Sequence, residues 1–235
     1  RVRCLREHPQ NLFLGGAFAY DLLASFENLP DVKQSENTCP DFVFYLAQSL
    51  LVIDHQTQSS ELVSTVFSGT NVSASYFAVS QQMESYLAQL ATLSSSVKAQ
   101  QPDNYDNNLQ VDKDDARFMQ DVIDLKEHIL AGDIFQVVPS RTFSLACPDP
   151  HLAYSELKKQ NPSPYMFFLQ DDDFCMFGAS PESALKYEKN TNQVEVYPIA
   201  GTRIRGKHAD GSINLDLDSR IELNLREDNK EKAEH

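Results

Sequence analysis

Four strand-length apolar runs follow one another between Tyr165 and Gly201: "YMFFLQ", "FCMFGAS", "SALKYE" and "QVEVYPIAG". Only turn-sized spacers separate them, the first being Asp171–Asp173. A parallel connection needs a crossover of a dozen or more residues. Consecutive runs of this kind therefore pair as hairpins, and the fold class expected is α+β with mainly antiparallel sheet. Earlier segments agree. "NLFLGGAFAYDLLASFE" opens as a strand interrupted by Gly15-Gly16, which suits a bulge or a close backbone approach. "DFVFYLAQSLLVIDHQTQSSELVSTVF" reads as two strands joined by a polar turn at Asp54–Ser60, and "DIFQVVPSRTFSLA" as one more strand.

Helices punctuate this pattern. Met83, Tyr86, Leu87 and Leu90 recur at helical spacing, as do Phe118, Val122, Leu125 and Ile129, with Gly132 as a stop. "DPHLAYSELKKQ" is a short helix with Asp149 as N-cap and Pro150 in its first turn. "NLDLDSRIELNLREDNKEKAEH" is charged and mostly helical. Residues 96–114 are polar without an apolar period and read as a linker or long surface loop. The organisation expected is an N-terminal lobe over 1–95, that linker, and a second lobe over 115–235.

Composition excludes several classes. The formal net charge is −14 over 235 residues, which repels nucleic acid and anionic membranes. An anionic ligand must be met by a local exception to that sign. No run of about 18 apolar residues is present, so no membrane span is expected. Cys4, Cys39, Cys147 and Cys175 form no CxxC pair, which argues against a zinc site and for a reducing, cytoplasmic setting. The start "RVRCLREHPQ" has neither an initiator Met nor a signal-peptide core, and His235 follows no helix stop, so the expectation is a segment of something longer.

Five stretches have the composition for chemistry, each with a plainer alternative. In "PIAGTRIRG", Gly201 permits close backbone approach, Thr202 offers a hydroxyl, and on a strand Arg203 and Arg205 would share a face. That is a carboxylate cradle, or else a turn whose arginines pair with the acidic surface. "NPSPYMFF" is pre-shaped by Pro162 and Pro164 and presents Tyr165 and Met166, which suit a flat apolar ligand or simply pack in a core. Glu182 in "FGASPES" is a proton donor if partly buried, or an exposed turn residue. Gln136 is a polar residue in an apolar run, facing a ligand or lying at a sheet edge. Glu231 and Glu234 stand at i, i+3, on one helical face, and suit Mg²⁺ or a solvated surface.

Together and in this order, "GGAFAYDLL", "GDIFQVVPSRTF", "NPSPYMFF", "FGASPES", "YPIAGTRIRG" and "DLDSRIELNLREDNKEKAEH" resemble the chorismate-utilising enzymes, most closely the anthranilate synthase large components. The resemblance covers essentially the whole chain. It implies two stacked, mainly antiparallel β-sheets flanked by helices, with a cleft between lobes. It implies conversion of chorismate and ammonia to anthranilate and pyruvate, with Mg²⁺, and ammonia drawn from a glutamine amidotransferase subunit. By the same resemblance, the Gly201 backbone and the Thr202 hydroxyl hold a chorismate carboxylate. Glu234 ligates the metal, Glu231 holds its water shell, and Glu182 is the general acid. Asn161, Pro164, Tyr165 and Met166 form a pocket for tryptophan as feedback inhibitor, away from the cleft.

Two positions discriminate among relatives. By the resemblance, water-adding members are expected to carry a lysine base where this chain has Gln136, and aminodeoxychorismate synthases often carry a nucleophilic lysine where it has Ala200. The alternatives that stay open are an aminodeoxychorismate synthase and a non-catalytic tryptophan-binding piece. Family members are longer, so this chain is expected to hold half a metal site and half a substrate site, and to have little activity alone.

Overall fold

The structure, a computed structural model, describes residues 12–29, 39–93 and 108–235. Cys4, and the first part of the expected linker, lie outside those residues. The chain divides into two compact units, Arg1–Gln100 and Gln101–His235.

In the first unit β1 (Phe13–Phe18) pairs antiparallel with β2 (Phe42–Ala47), from Phe13 opposite Ala47 to Phe18 opposite Phe42. The register has no extra residue at Gly15-Gly16, so this is a close approach and not a bulge. A Cβ on Gly16 would overlap the Val43 carbonyl oxygen. β3 (Ser49–Asp54) and β4 (Ser59–Ser64) form a separate hairpin. Its turn is held by the Asp54 carboxylate, which accepts the N–H groups of Gln56 and Thr57. Three strands thus occupy the stretch read as two. The apolar run is continuous in sequence, but its pairing partner changes at Gln48, between β2 and β3. Helix α1 (Val72–Thr92) begins before the first residue of the expected apolar period and buries Val79.

The second unit carries all of the candidate site residues. β5 (Gln110–Val111) lies within the stretch read as linker and pairs with β6 (Phe143–Ser144). Helix α2 (Asp115–Ala131) starts where the Asp114 carboxylate accepts the Arg117 N–H, and ends at Gly132 in the left-handed conformation. The strand expected over "DIFQVVPSRTFSLA" shrinks to β6. A strand needs a neighbour for its backbone groups. Among the described residues none is supplied at Phe135 or Val138, which are 92% and 81% exposed.

Helix α3 (Pro150–Gln160) is capped by Asp149 as expected. It rests on the hairpin of β7 (Tyr165–Gln170) and β8 (Cys175–Ser180). His151 stacks on Phe168 at 4.3 Å, and Tyr154 meets Phe177 edge-on at 5.9 Å. β9 (Lys186–Glu188) and β10 (Gln193–Glu195) make a short hairpin, after which residues 196–206 leave the sheet. Arg203 and Arg205 therefore do not lie on a strand. Helix α4 (Leu215–Glu227) is capped by Asn214, and a break at Asp228 starts α5 (Asn229–Glu234). Among the described residues every sheet is a two-stranded antiparallel pair, and no helix is long and apolar enough to cross a membrane.

Candidate functional site

The irregular segment 198–206 gathers the candidate residues of the second unit. At its start, the Ile199 N–H donates to Glu182 Oε1 at 3.0 Å, which fixes the "PES" turn against the "PIAG" turn. Two residues on, Gly201 meets α5. A Cβ at Gly201 would overlap the Glu231 carboxylate, so the absent side chain is a notch that the acid fills. Glu231 is 12% exposed in its side chain, and its Oε2 is buried without a hydrogen-bond partner. On the same helix, Glu234 Oε1 accepts from Gln136 Nε2 at 3.1 Å. Glu182, Gly201, Glu231, Glu234 and Gln136 thus form one connected series. Thr202 sits beside the notch, its carbonyl accepting from Arg203 Nη1 at 3.0 Å.

The arginines answer to the second of the two readings of "GTRIRG". Arg203 donates to Asp228 Oδ2 at 3.1 Å and to Glu231 Oε1 at 3.4 Å. Arg205 grips Asp218 through Nε at 2.8 Å and through Nη2, and the Gly206 N–H adds a 2.8 Å bond to the same carboxylate. The Arg205 guanidinium, with that N–H, holds the Asp218 carboxyl below the usual carboxylate range. Asp228 is also held low, first by the Glu231 N–H it caps. Both guanidinium groups are engaged by carboxylates of the chain itself. Donors that could still meet an anion at this corner include the Thr202 hydroxyl, and Arg226, Lys232 and His235 line the hollow beside Gly201 and Glu231.

The tryptophan candidates divide. Pro164 and Tyr165 line an open hollow of about 420 Å³ together with Glu182, Lys186, Glu195 and Tyr197. They therefore share a hollow with the candidate acid and do not stand apart from it. Met166, the next residue of β7, falls on the other face of the hairpin opposite Ala179, and Asn161 ends α3 with its N–H on the Leu157 carbonyl. The hollow also contains a network that the sequence reading missed. Tyr197 Oη donates to Glu195 Oε2 at 2.8 Å, and Lys186 Nζ approaches the same oxygen at 3.3 Å. The signal was present: Glu195 and Tyr197 stand two apart at the end of an alternating run.

A second hollow, also about 420 Å³, lies on the far side of Ile199, between Gly201, Leu225, Glu231 and His235. As a cation site this corner is partial. Among the described residues no three His, Cys, Asp or Glu side chains converge. What is present fits Mg²⁺ from one side: hard carboxylate oxygens of Glu231 and Glu234 on one helix, with one buried oxygen lacking a hydrogen bond, and with Lys230 Nζ, 3.9 Å from Glu231 Oε1 and 3.7 Å from Glu234 Oε2, as the cation the metal would displace.

Residues 2–235 match the family described as chorismate binding enzyme. The chain belongs to that family. It is 55% identical over 224 residues to anthranilate synthase component 1 of Vibrio parahaemolyticus, and 50% identical over 236 residues to the protein of that name from Escherichia coli. The alignments take in 95% and 98% of this chain but 40% and 43% of those relatives. The chain thus spans about two-fifths of their length. Its fold resembles the crystal structure of anthranilate synthase component I from Streptococcus pneumoniae, with a TM-score of 0.76 over 97% of this chain and 48% of that one, at 23% identity.

Proposed function

We propose that this chain forms part of the large subunit of an anthranilate synthase, taking chorismate and ammonia to anthranilate, pyruvate and water. The observation that carries the reading is the connected series Glu182–Ile199–Gly201–Glu231, continued by Glu234 and Gln136. It joins a candidate proton donor, the glycine turn against which the Glu231 carboxylate packs, and two hard acids, which are the kinds of group that elimination of a ring hydroxyl from a dicarboxylate requires. Gly201 and Thr202 bind a substrate carboxylate through backbone and hydroxyl. Glu182 gives its proton to the departing hydroxyl, and the Ile199 N–H keeps its carboxyl aimed into the segment. Glu231 and Glu234 hold Mg²⁺, which when bound supplies a Lewis acid for the substrate carboxylate.

Gln136 offers a neutral amide, which cannot activate water, whereas ammonia is already a nucleophile. Ala200 has no amine, which disfavours the aminodeoxychorismate route. Asn161, Pro164, Tyr165 and Met166 contribute to tryptophan recognition, with Tyr165 giving the aromatic face. The antiparallel pairs belong to two stacked sheets, and a glutamine amidotransferase subunit delivers ammonia.

The test is product identification by fluorescence and mass after incubation of the chain, completed to the length of its relatives, with chorismate, Mg²⁺ and an ammonium salt. Anthranilate is expected. Release of aminodeoxychorismate, or of a hydroxylated product, would replace this reading. The 235-residue chain on its own is expected to give little or no product, because a single carboxylate-bearing helix leaves the metal held from one side only.

A further inference from the structure

We propose that Arg203 is a positioning residue, clamping Glu231 so that its Oε2 stays seated in the notch of Gly201. This rests on the reading above, since Glu231 is one of the acids assigned to the metal.

Three independent features meet at this carboxylate. Gly201 leaves the space that Glu231 fills, and a Cβ would overlap both its carboxylate oxygens and its Cδ. Glu231 Oε2 is buried with no hydrogen-bond partner, a position that a carboxylate on a short surface helix would abandon for water unless held. The nearer of the two cations at Glu231 Oε1 is Arg203, whose Nη1 lies 3.4 Å from it and 3.0 Å from the Thr202 carbonyl; Lys230 Nζ, largely exposed, stands off at 3.9 Å. Arg203 Nη2 is anchored on Asp228 at 3.1 Å. Asp228 is itself the cap of α5, accepting the Lys230 and Glu231 N–H groups. The guanidinium therefore bridges the glycine turn, the helix cap and the acid at once. Because Arg203 is two residues from Gly201, one turn supplies both notch and clamp. A planar fork suits this task, and a lysine ammonium cannot reproduce it.

Charge alone predicts the opposite of positioning. A guanidinium beside a carboxylate repels an arriving divalent cation, so its removal would tighten Mg²⁺ binding if charge were all it contributed. If it positions the acid, its removal weakens binding. Calorimetric titration of the purified protein with MgCl₂ alone decides the sign. Arg203→Met is expected to weaken Mg²⁺ binding about tenfold, one factor of ten in the dissociation constant, with Arg203→Lys in between. Tighter or unchanged binding in Arg203→Met overturns the proposal.

A second measurement needs no metal. In a cycle of melting temperatures for Arg203→Met, Glu231→Gln and the double variant, the double is expected to melt no lower than Arg203→Met alone. Additive losses overturn the clamp even if the wild type takes up Mg²⁺. A non-additive cycle in a protein that takes up no Mg²⁺ leaves the clamp standing and removes the metal from the proposed function instead.

Discussion

Gln136 and Glu234, 98 positions apart, are joined by a single hydrogen bond of 3.1 Å from the amide Nε2 to the carboxylate Oε1. The bond ties an irregular apolar segment to the short helix α5, and it makes residue 136 a neighbour of a proposed metal ligand. Replacing the neutral amide by an ammonium turns a donor into a competitor. Gln136→Lys is expected to weaken Mg²⁺ binding by roughly tenfold, whereas Gln136→Leu removes only a donor and is expected to leave it within a factor of about three. Calorimetry with MgCl₂ separates the two, and equal behaviour of both variants would remove Gln136 from the metal corner.

The Arg205–Asp218–Gly206 knot carries a pH signature. Asp218 has its carboxyl depressed by the guanidinium and by the Gly206 N–H. A depressed acid stabilises the fold above its unfolded value, about 3.9 for Asp, and that contribution is lost as pH falls through the folded value. The Gly206 amide is expected to keep a constant protection factor at neutral pH and to lose protection below about pH 4, read by hydrogen exchange. Asp218→Asn is expected to lower the protection already at neutral pH. Equal protection in both proteins would show that the knot does not hold the segment.

The caps and hairpins of this fold were legible in the sequence because they are local. Gly132 and Asp149 act where the chain predicts, and the β7–β8 hairpin follows from two short runs and a turn. What was not legible depends on partners. Nothing in the run from Phe42 to Asp54 marks Gln48 as the point where pairing changes from β1 to β4. Residues 133–142 have strand composition but lack a ladder partner. At the site, quoted motifs gave the residues but not their use. The arginines of "GTRIRG" look available to a ligand until Asp218, Asp228 and Glu231 are placed beside them, and those acids lie on helices after the motif.

The hollow at Tyr165 has titrating groups of its own. Glu195 is held below its ordinary range, first by the Tyr197 hydroxyl and then by Lys186. Tyr197 and Lys186 are both raised by Glu195. The sign differs at the two ends. The Glu195 contribution is lost as pH falls through its depressed value, and the Tyr197 contribution is full below about pH 10 and lost as pH rises through its raised value. The Tyr197 ring carbon resonance is therefore expected to titrate later than that of a free tyrosine, and to return to the ordinary range in Glu195→Gln. A Tyr197 that titrates identically in both proteins would show that the two side chains do not meet in solution.

Glu182 provides the sharpest test of the chemistry, because one side chain has two separable duties. Its Oε1 accepts the Ile199 N–H, which sets the turn leading to Gly201. Its proposed second duty is to deliver a proton. Glu182→Gln keeps a carbonyl acceptor for Ile199 but has no acidic proton. Its kcat is therefore expected to fall by roughly 10²–10⁴-fold with little change in KM. Glu182→Ala loses both, so KM is expected to rise as well, since the turn carrying Gly201 and Thr202 loses its anchor. Mg²⁺ affinity is expected to be unaltered in Glu182→Gln, because Glu182 touches neither Glu231 nor Glu234 through any hydrogen bond in the series. Steady-state anthranilate fluorescence, measured on the chain completed to the length of its relatives, gives the split. A Gln variant that keeps its kcat would move the proton donor elsewhere in the hollow, where Tyr197 is a candidate.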